Sequence, residues 1–124
     1  MKKQSFFQKL KLAFLGIIKT IQSQKHMQIH LLAAIITILT GLYLSITRIE
    51  WMILSLTIGT VLTTETINTA VENCVNLYTK DYSKLAKTIK DVASGAVLLS
   101  VLTSLIIAYL IFFERIVTLL DKGA

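Results

Sequence analysis

Two stretches of the chain are nearly unbroken runs of apolar side chains. The run over 29–47 is interrupted only by His30 near its start, and the run over 92–113 carries no charge. Either could cross a hydrocarbon layer of about 30 Å as a helix. A third run opens at Trp51 with "WMILSLTIGTVL" and passes into "TTETINTAVEN", where the apolar residues keep to one side. Upstream, Phe7, Leu10, Phe14, Ile17, Ile18 and Ile21 share one helical face and Gln8, Lys9 and Lys19 the other. That pattern belongs to a helix lying in a membrane interface, although an ordinary amphipathic packing helix would show it too. The expected architecture is all-α and membrane-embedded. It is a single domain over 1–124, with a surface helix over 1–25 and membrane helices over 29–47, 51–76 and 85–113.

Composition agrees with this pattern. The chain is 54% hydrophobic and contains no proline, which places it with helical membrane proteins rather than soluble globules. Lysines scattered through the first 25 residues, with no small-residue cleavage site behind a short apolar segment, predict a retained N-terminus rather than a secretory signal. The connections "TRIE" and "YTKDYSK" are short, as antiparallel neighbours require.

Charge sets the expected orientation. Lys2, Lys3, Lys9, Lys11, Lys19 and Lys25 precede the first span, and Lys80, Lys84, Lys87 and Lys90 lie between the second and third. Only Arg48, Arg115 and Lys122 fall on the other side. The positive-inside bias therefore predicts a cytoplasmic N-terminus and three crossings of the membrane. The net charge of +6 gathers at the inner face, where it suits anionic lipid or a phosphorylated ligand. Cys74 is the only cysteine, which excludes an internal disulfide and leaves it a packing role.

The polar residues of the second span carry the candidate chemistry. At 100° per residue Glu65, Asn68, Glu72 and Asn76 fall within an arc of about 80° and over roughly 16 Å of helix. With Trp51 at the outer interface, Glu65 lies about 21 Å deeper, inside the hydrocarbon, and Glu72, at about 31 Å, reaches the headgroups. A carboxylate in the hydrocarbon is costly unless paired, protonated or facing water, so Glu65 is expected to point at other helices. Such residues can act simply as hydrogen-bonding glue between helices. Their clustering beside Lys87, Lys90 and Asp91 also suits a divalent cation held together with phosphate oxygens, and hence phosphoryl transfer. No GxxxxGK[ST] loop is present. His26 and His30, four residues apart with no acid nearby on their own helix, read as interfacial side chains rather than metal ligands.

"ETINTAVENCVNL" followed by "KLAKTIKDVASGAVLL" resembles the prokaryotic diacylglycerol kinase family, with a pattern of roughly E-x-x-N-[ST]-A-x-E-x-x-x-D and then K-D-x-x-[AS]-[AG]-A-V-L. "AFLG", "IHLLAA" and "EW" extend the likeness over nearly the whole chain, and the "LAK…KD…GAVLL" version and the "IH" resemble the undecaprenol kinase branch. The resemblance implies a homotrimer that uses ATP and Mg²⁺ to phosphorylate a lipid alcohol at the cytoplasmic interface, undecaprenol ahead of diacylglycerol. By position it implies Glu65 as general base and Asn68 and Glu72 as holders of the metal and phosphate. Lys90 and Asp91 become nucleotide contacts, with Asn76 and Gln24 at the edge of the ATP site and Gln24 a weak second metal ligand. Three positions depart from the pattern. Gln24 replaces an acid, Gln28 an arginine and Asn76 an aspartate, and each loses charge, which predicts weakened activity. Two other functions fit the residues less well. A small oligomeric transporter or channel would place polar groups toward both sides of the membrane, whereas the outer halves offer only Thr, Ser and Tyr. A non-catalytic scaffold would use the stripe only to set helix register.

Overall fold

A computed structural model describes residues 2–123; Met1 and Ala124, the ends of the expected surface helix and domain, lie outside the described residues. The described chain is four helices and no strand: α1 Phe6–Ser23, α2 Lys25–Leu44, α3 Arg48–Tyr78 and α4 Lys84–Lys122. Each boundary has a local cause. Ser5 and Gln8 close a capping box ahead of α1, and Thr47 and Glu50 close another ahead of α3. Ser83 caps α4 by accepting from the Ala86 amide. α2 ends where Ser45 turns into the left-handed region at φ 52°, which lets the Ile46 amide reach back to the Gly41 carbonyl at 3.2 Å.

One extended residue, Gln24, separates α1 from α2. The Gln28 side chain braces this corner, donating to the Ile21 carbonyl at 3.0 Å and the Gln22 carbonyl at 3.4 Å. It thereby satisfies carbonyls that the end of α1 leaves without intrahelical donors. No α1 residue is buried, and Phe6, Phe7, Leu10, Phe14 and Ile17 are all exposed.

α3 and α4 pair closely, and α2 lies mainly against α3. At the end of the bundle away from the α3–α4 connection, Ile46, Leu54, Ile111 and Phe112 form the apolar core, with Trp51 and Ile107 packed on it. Gly41 leaves room for the indole there: a Cβ at this position would lie 2.8 Å from Trp51 Cη2. Glu50 and Arg115 close the same end through a two-pronged contact, Nη1 to Oε2 at 2.5 Å and Nη2 to Oε1 at 2.6 Å. This guanidinium holds the Glu50 carboxyl below the usual carboxylate range, against the opposing effect of burial and with help from Thr47. Halfway along the pair, the hydroxyls of Thr64 and Ser100 meet at 2.9 Å.

α2 and α4 are each long and apolar enough to cross a membrane, yet only 17% of the most apolar window of either is buried within the chain. The core helix of a soluble protein would be mostly buried. Exposed Leu, Ile and Phe instead cover the outside of the bundle, as lipid or further subunits demand. α3, 31 residues long, carries the polar stripe and is less uniformly apolar.

Candidate active site

The stripe on α3 grades from buried to open. Glu65 and Asn68 are buried at 4% and 8% exposure, Glu72 is half-buried and Asn76 is exposed. Helical spacing alone brings the middle pair together, the Asn68 amide donating to Glu72 Oε1 at 3.4 Å. This orientation leaves Asn68 Oδ1 buried without a partner. A native protein rarely leaves a buried acceptor unsatisfied, so this oxygen is poised to receive a donor from a ligand or water.

At the mouth of the stripe α4 contributes its basic first turns. Lys90 donates to Asn76 Oδ1 at 2.7 Å and so joins the stripe through a residue fourteen positions earlier. Asp91 does not join it. Its carboxylate accepts from Lys87 at 2.6 Å within the same helix, and both side chains are more than 60% exposed. A cleft of about 400 Å³ opens between the ends of α3 and α4, lined by Asn76, Lys80, Lys87, Lys90 and Asp91 among others. Three ammonium groups around one open cleft suit a polyphosphate.

Glu65 meets a residue that the sequence alone left aside. His30 on α2 places Nε2 3.5 Å from Glu65 Oε2. The missing signal was the partner helix: no acid lies near His30 in sequence, and the contact spans 35 positions. Gln24 is half-buried at the α1–α2 corner and makes no side-chain cap bond, while Gln28 is spent on α1 carbonyls. Cys74, expected to pack, is exposed in the single chain and lines an apolar cleft with Ile67, Val71 and Ile89.

Residues 11–112 match the prokaryotic diacylglycerol kinase family. The chain belongs to that family. It is 38% identical over 111 residues to the undecaprenol kinase of Bacillus subtilis, with 90% of each chain covered. It is 30% identical over 109 residues to a diacylglycerol kinase of Synechocystis, covering 87% of this chain and 62% of that relative. Helices as apolar as α2 and α4, in a chain of this family, make it a membrane protein.

Phosphoryl transfer from a nucleotide implies Mg²⁺, and the donor set can be tested against it. Among the described residues no group of three or more His, Cys, Asp or Glu could hold a metal unaided. Mg²⁺, however, commonly takes one or two carboxylates and completes its shell with phosphate oxygens and water. Glu72 fits that use: it is half-buried at the wet end of the stripe, with one oxygen engaged by Asn68.

Proposed function

We propose that the protein is an ATP- and Mg²⁺-dependent lipid kinase that phosphorylates a membrane lipid alcohol at the cytoplasmic face. The acceptor is undecaprenol, with diacylglycerol as the runner-up. The observation that carries this reading is the Lys90–Asn76 contact, which joins the basic cleft of α4 to the carboxylate and amide stripe of α3. A cleft for phosphate and a buried carboxylate then lie along one side of one helix, at depths suited to a soluble nucleotide and a lipid hydroxyl.

The residues divide the work. Lys90, with Lys80 and Lys87 around the same cleft, draws in the nucleotide and neutralises its phosphates, with Asp91 and Asn76 at the edge. Glu72, oriented by Asn68, would hold the metal, with Gln24 as a weak further ligand. The chemistry that Mg²⁺ would supply there is neutralisation of charge on the transferring phosphoryl group. Glu65 takes the proton of the lipid hydroxyl as the hydroxyl oxygen bonds to the terminal phosphorus and the bond from that phosphorus to the leaving ADP oxygen breaks. Because this transition state is loose, positioning and charge neutralisation supply most of the acceleration, and the base contributes a smaller share.

The chain crosses the membrane three times through α2, α3 and α4, with α1 on the cytoplasmic surface, and functions as a homotrimer. Self-association is supported by the exposed apolar exterior and by the incomplete donor set of a single chain. The deciding experiment offers purified protein in mixed micelles Mg-ATP with undecaprenol, diacylglycerol or no lipid, and follows phosphate into the organic phase. Lipid-dependent transfer is expected, fastest with undecaprenol. Absence of transfer to any lipid alcohol would overturn the kinase reading in favour of a scaffold.

A further inference from the structure

Glu65 is buried among donors already committed elsewhere. The Thr64 hydroxyl serves its own helix and Ser100, the Thr69 hydroxyl donates to the Glu65 backbone carbonyl, and the Asn68 amide is turned toward Glu72. No lysine or arginine comes within ion-pair distance of Glu65 among the described residues. The one side chain that does is His30, whose Nε2 lies 3.5 Å from Oε2, with the two side chains 17% and 5% exposed.

The surroundings of His30 leave it little else to do. It forms one end of a cavity of about 180 Å³ between α2, α3 and α4, whose other polar residues include Thr37, Thr57 and Ser104. Those three hydroxyls donate to carbonyls of their own helices. Around this cavity α3 offers Leu54, Ile58 and Val61, and α4 offers Val101, Leu105 and Ala108, with no charged group from either. On α2 the neighbouring Lys25 and His26 are exposed. The imidazole thus has an apolar cavity on one side and the Glu65 carboxylate on the other, and it is the nearest uncommitted donor to a buried carboxylate, which is costly to leave without one.

We infer that His30 is a positioning residue for the transfer reaction: its Nε2–H is directed at Glu65 Oε2, fixing the carboxylate and leaving the other oxygen, Oε1, to receive the lipid hydroxyl proton. The inference rests on the reading of Glu65 as general base. During the step the hydroxyl O–H bond breaks, its proton passes to Glu65, and His30 keeps its own proton throughout. At 3.5 Å the pair is longer than a tight hydrogen bond, as catalytic contacts in unliganded sites commonly are. His30 thus contributes to the rate of transfer without touching substrate or nucleotide.

The test compares His30→Leu, His30→Gln and Glu65→Gln in mixed micelles with undecaprenol and Mg-ATP, after circular dichroism and size exclusion confirm the wild-type fold and assembly. Removing the donor in His30→Leu is expected to lower kcat about tenfold to a hundredfold while KM for ATP stays within about twofold, a fraction of what a general base contributes. His30→Gln, which keeps an N–H donor of similar reach, is expected to recover most of that loss. A His30→Leu protein with wild-type kcat overturns the inference, as does a His30→Gln protein no better than His30→Leu. If His30→Leu does not fold, His30→Gln set against His30→Met makes the same comparison. Glu65→Gln separates the two levels: loss of transfer there with unchanged kinetics in His30→Leu removes only the His30 role, whereas activity retained in Glu65→Gln removes the base itself.

Discussion

The Lys90–Asn76 contact joins two helices and two halves of the proposed chemistry, and its removal tests both. In Asn76→Leu the Lys90 ammonium loses its acceptor at 2.7 Å while Asn76, being exposed, leaves no hole in the packing. A hydrogen bond to a charged group contributes about 1.5–3 kcal/mol when sheltered. Competition from water at an open site reduces this to about 1 kcal/mol. If that energy holds Lys90 in place for the phosphates, its loss raises KM for ATP about fivefold with kcat little changed. The assay is initial-rate phosphotransfer at saturating undecaprenol over a range of Mg-ATP. Lys90→Met serves as the reference, with a KM raised by more than tenfold expected. The double variant separates positioning from any independent role, because once the lysine is gone Asn76→Leu has nothing left to hold and should add no further change. An unchanged KM in Asn76→Leu, or a full fivefold effect on the Lys90→Met background, would refute the reasoning.

Three further outcomes follow from the geometry. Gly41→Ala gains about 1 kcal/mol of helix propensity but pushes a methyl to 2.8 Å from the Trp51 ring, where overpacking costs about 1–3 kcal/mol. A lowered thermal midpoint in detergent is expected, and a raised one would mean that the indole yields freely. The depressed Glu50 carboxyl stabilises the fold at pH values above the ordinary carboxylate range, and that contribution disappears as pH falls through the lower folded value. Glu50→Gln should therefore flatten the acid limb of thermal stability, and an acid limb identical to wild type would show that the Arg115 pair does not cause it. Gln24→Glu, which restores a carboxylate at the α1–α2 corner, should raise turnover and lower the Mg²⁺ needed for half-maximal rate; unchanged kinetics would dismiss Gln24 as a metal ligand.

The parts of the molecule legible in sequence are those written on one helix. Glu65, Asn68, Glu72 and Asn76 share a face because 100° per residue puts them there, and the structure grades their burial along that face. The apolar runs likewise show as α2 and α4, although α2 begins at Lys25, several residues before its apolar stretch, because Gln24 is the single non-helical residue between α1 and α2. Contacts between helices were not legible. His30 and Glu65, Lys90 and Asn76, and Glu50 and Arg115 meet only after the bundle sets the relative height of its helices, and no local pattern encodes that height. Gln28 shows the same limit: its missing charge is visible in sequence, whereas its grip on the α1 carbonyls is a property of the corner.

The joint at Gln24 has no slack. A linker of several glycines would let α1 and α2 reorient independently of one another. Here one extended residue and the two hydrogen bonds of Gln28 tie the last turn of α1 to the first turns of α2, so the angle between the two helices is set at the corner itself.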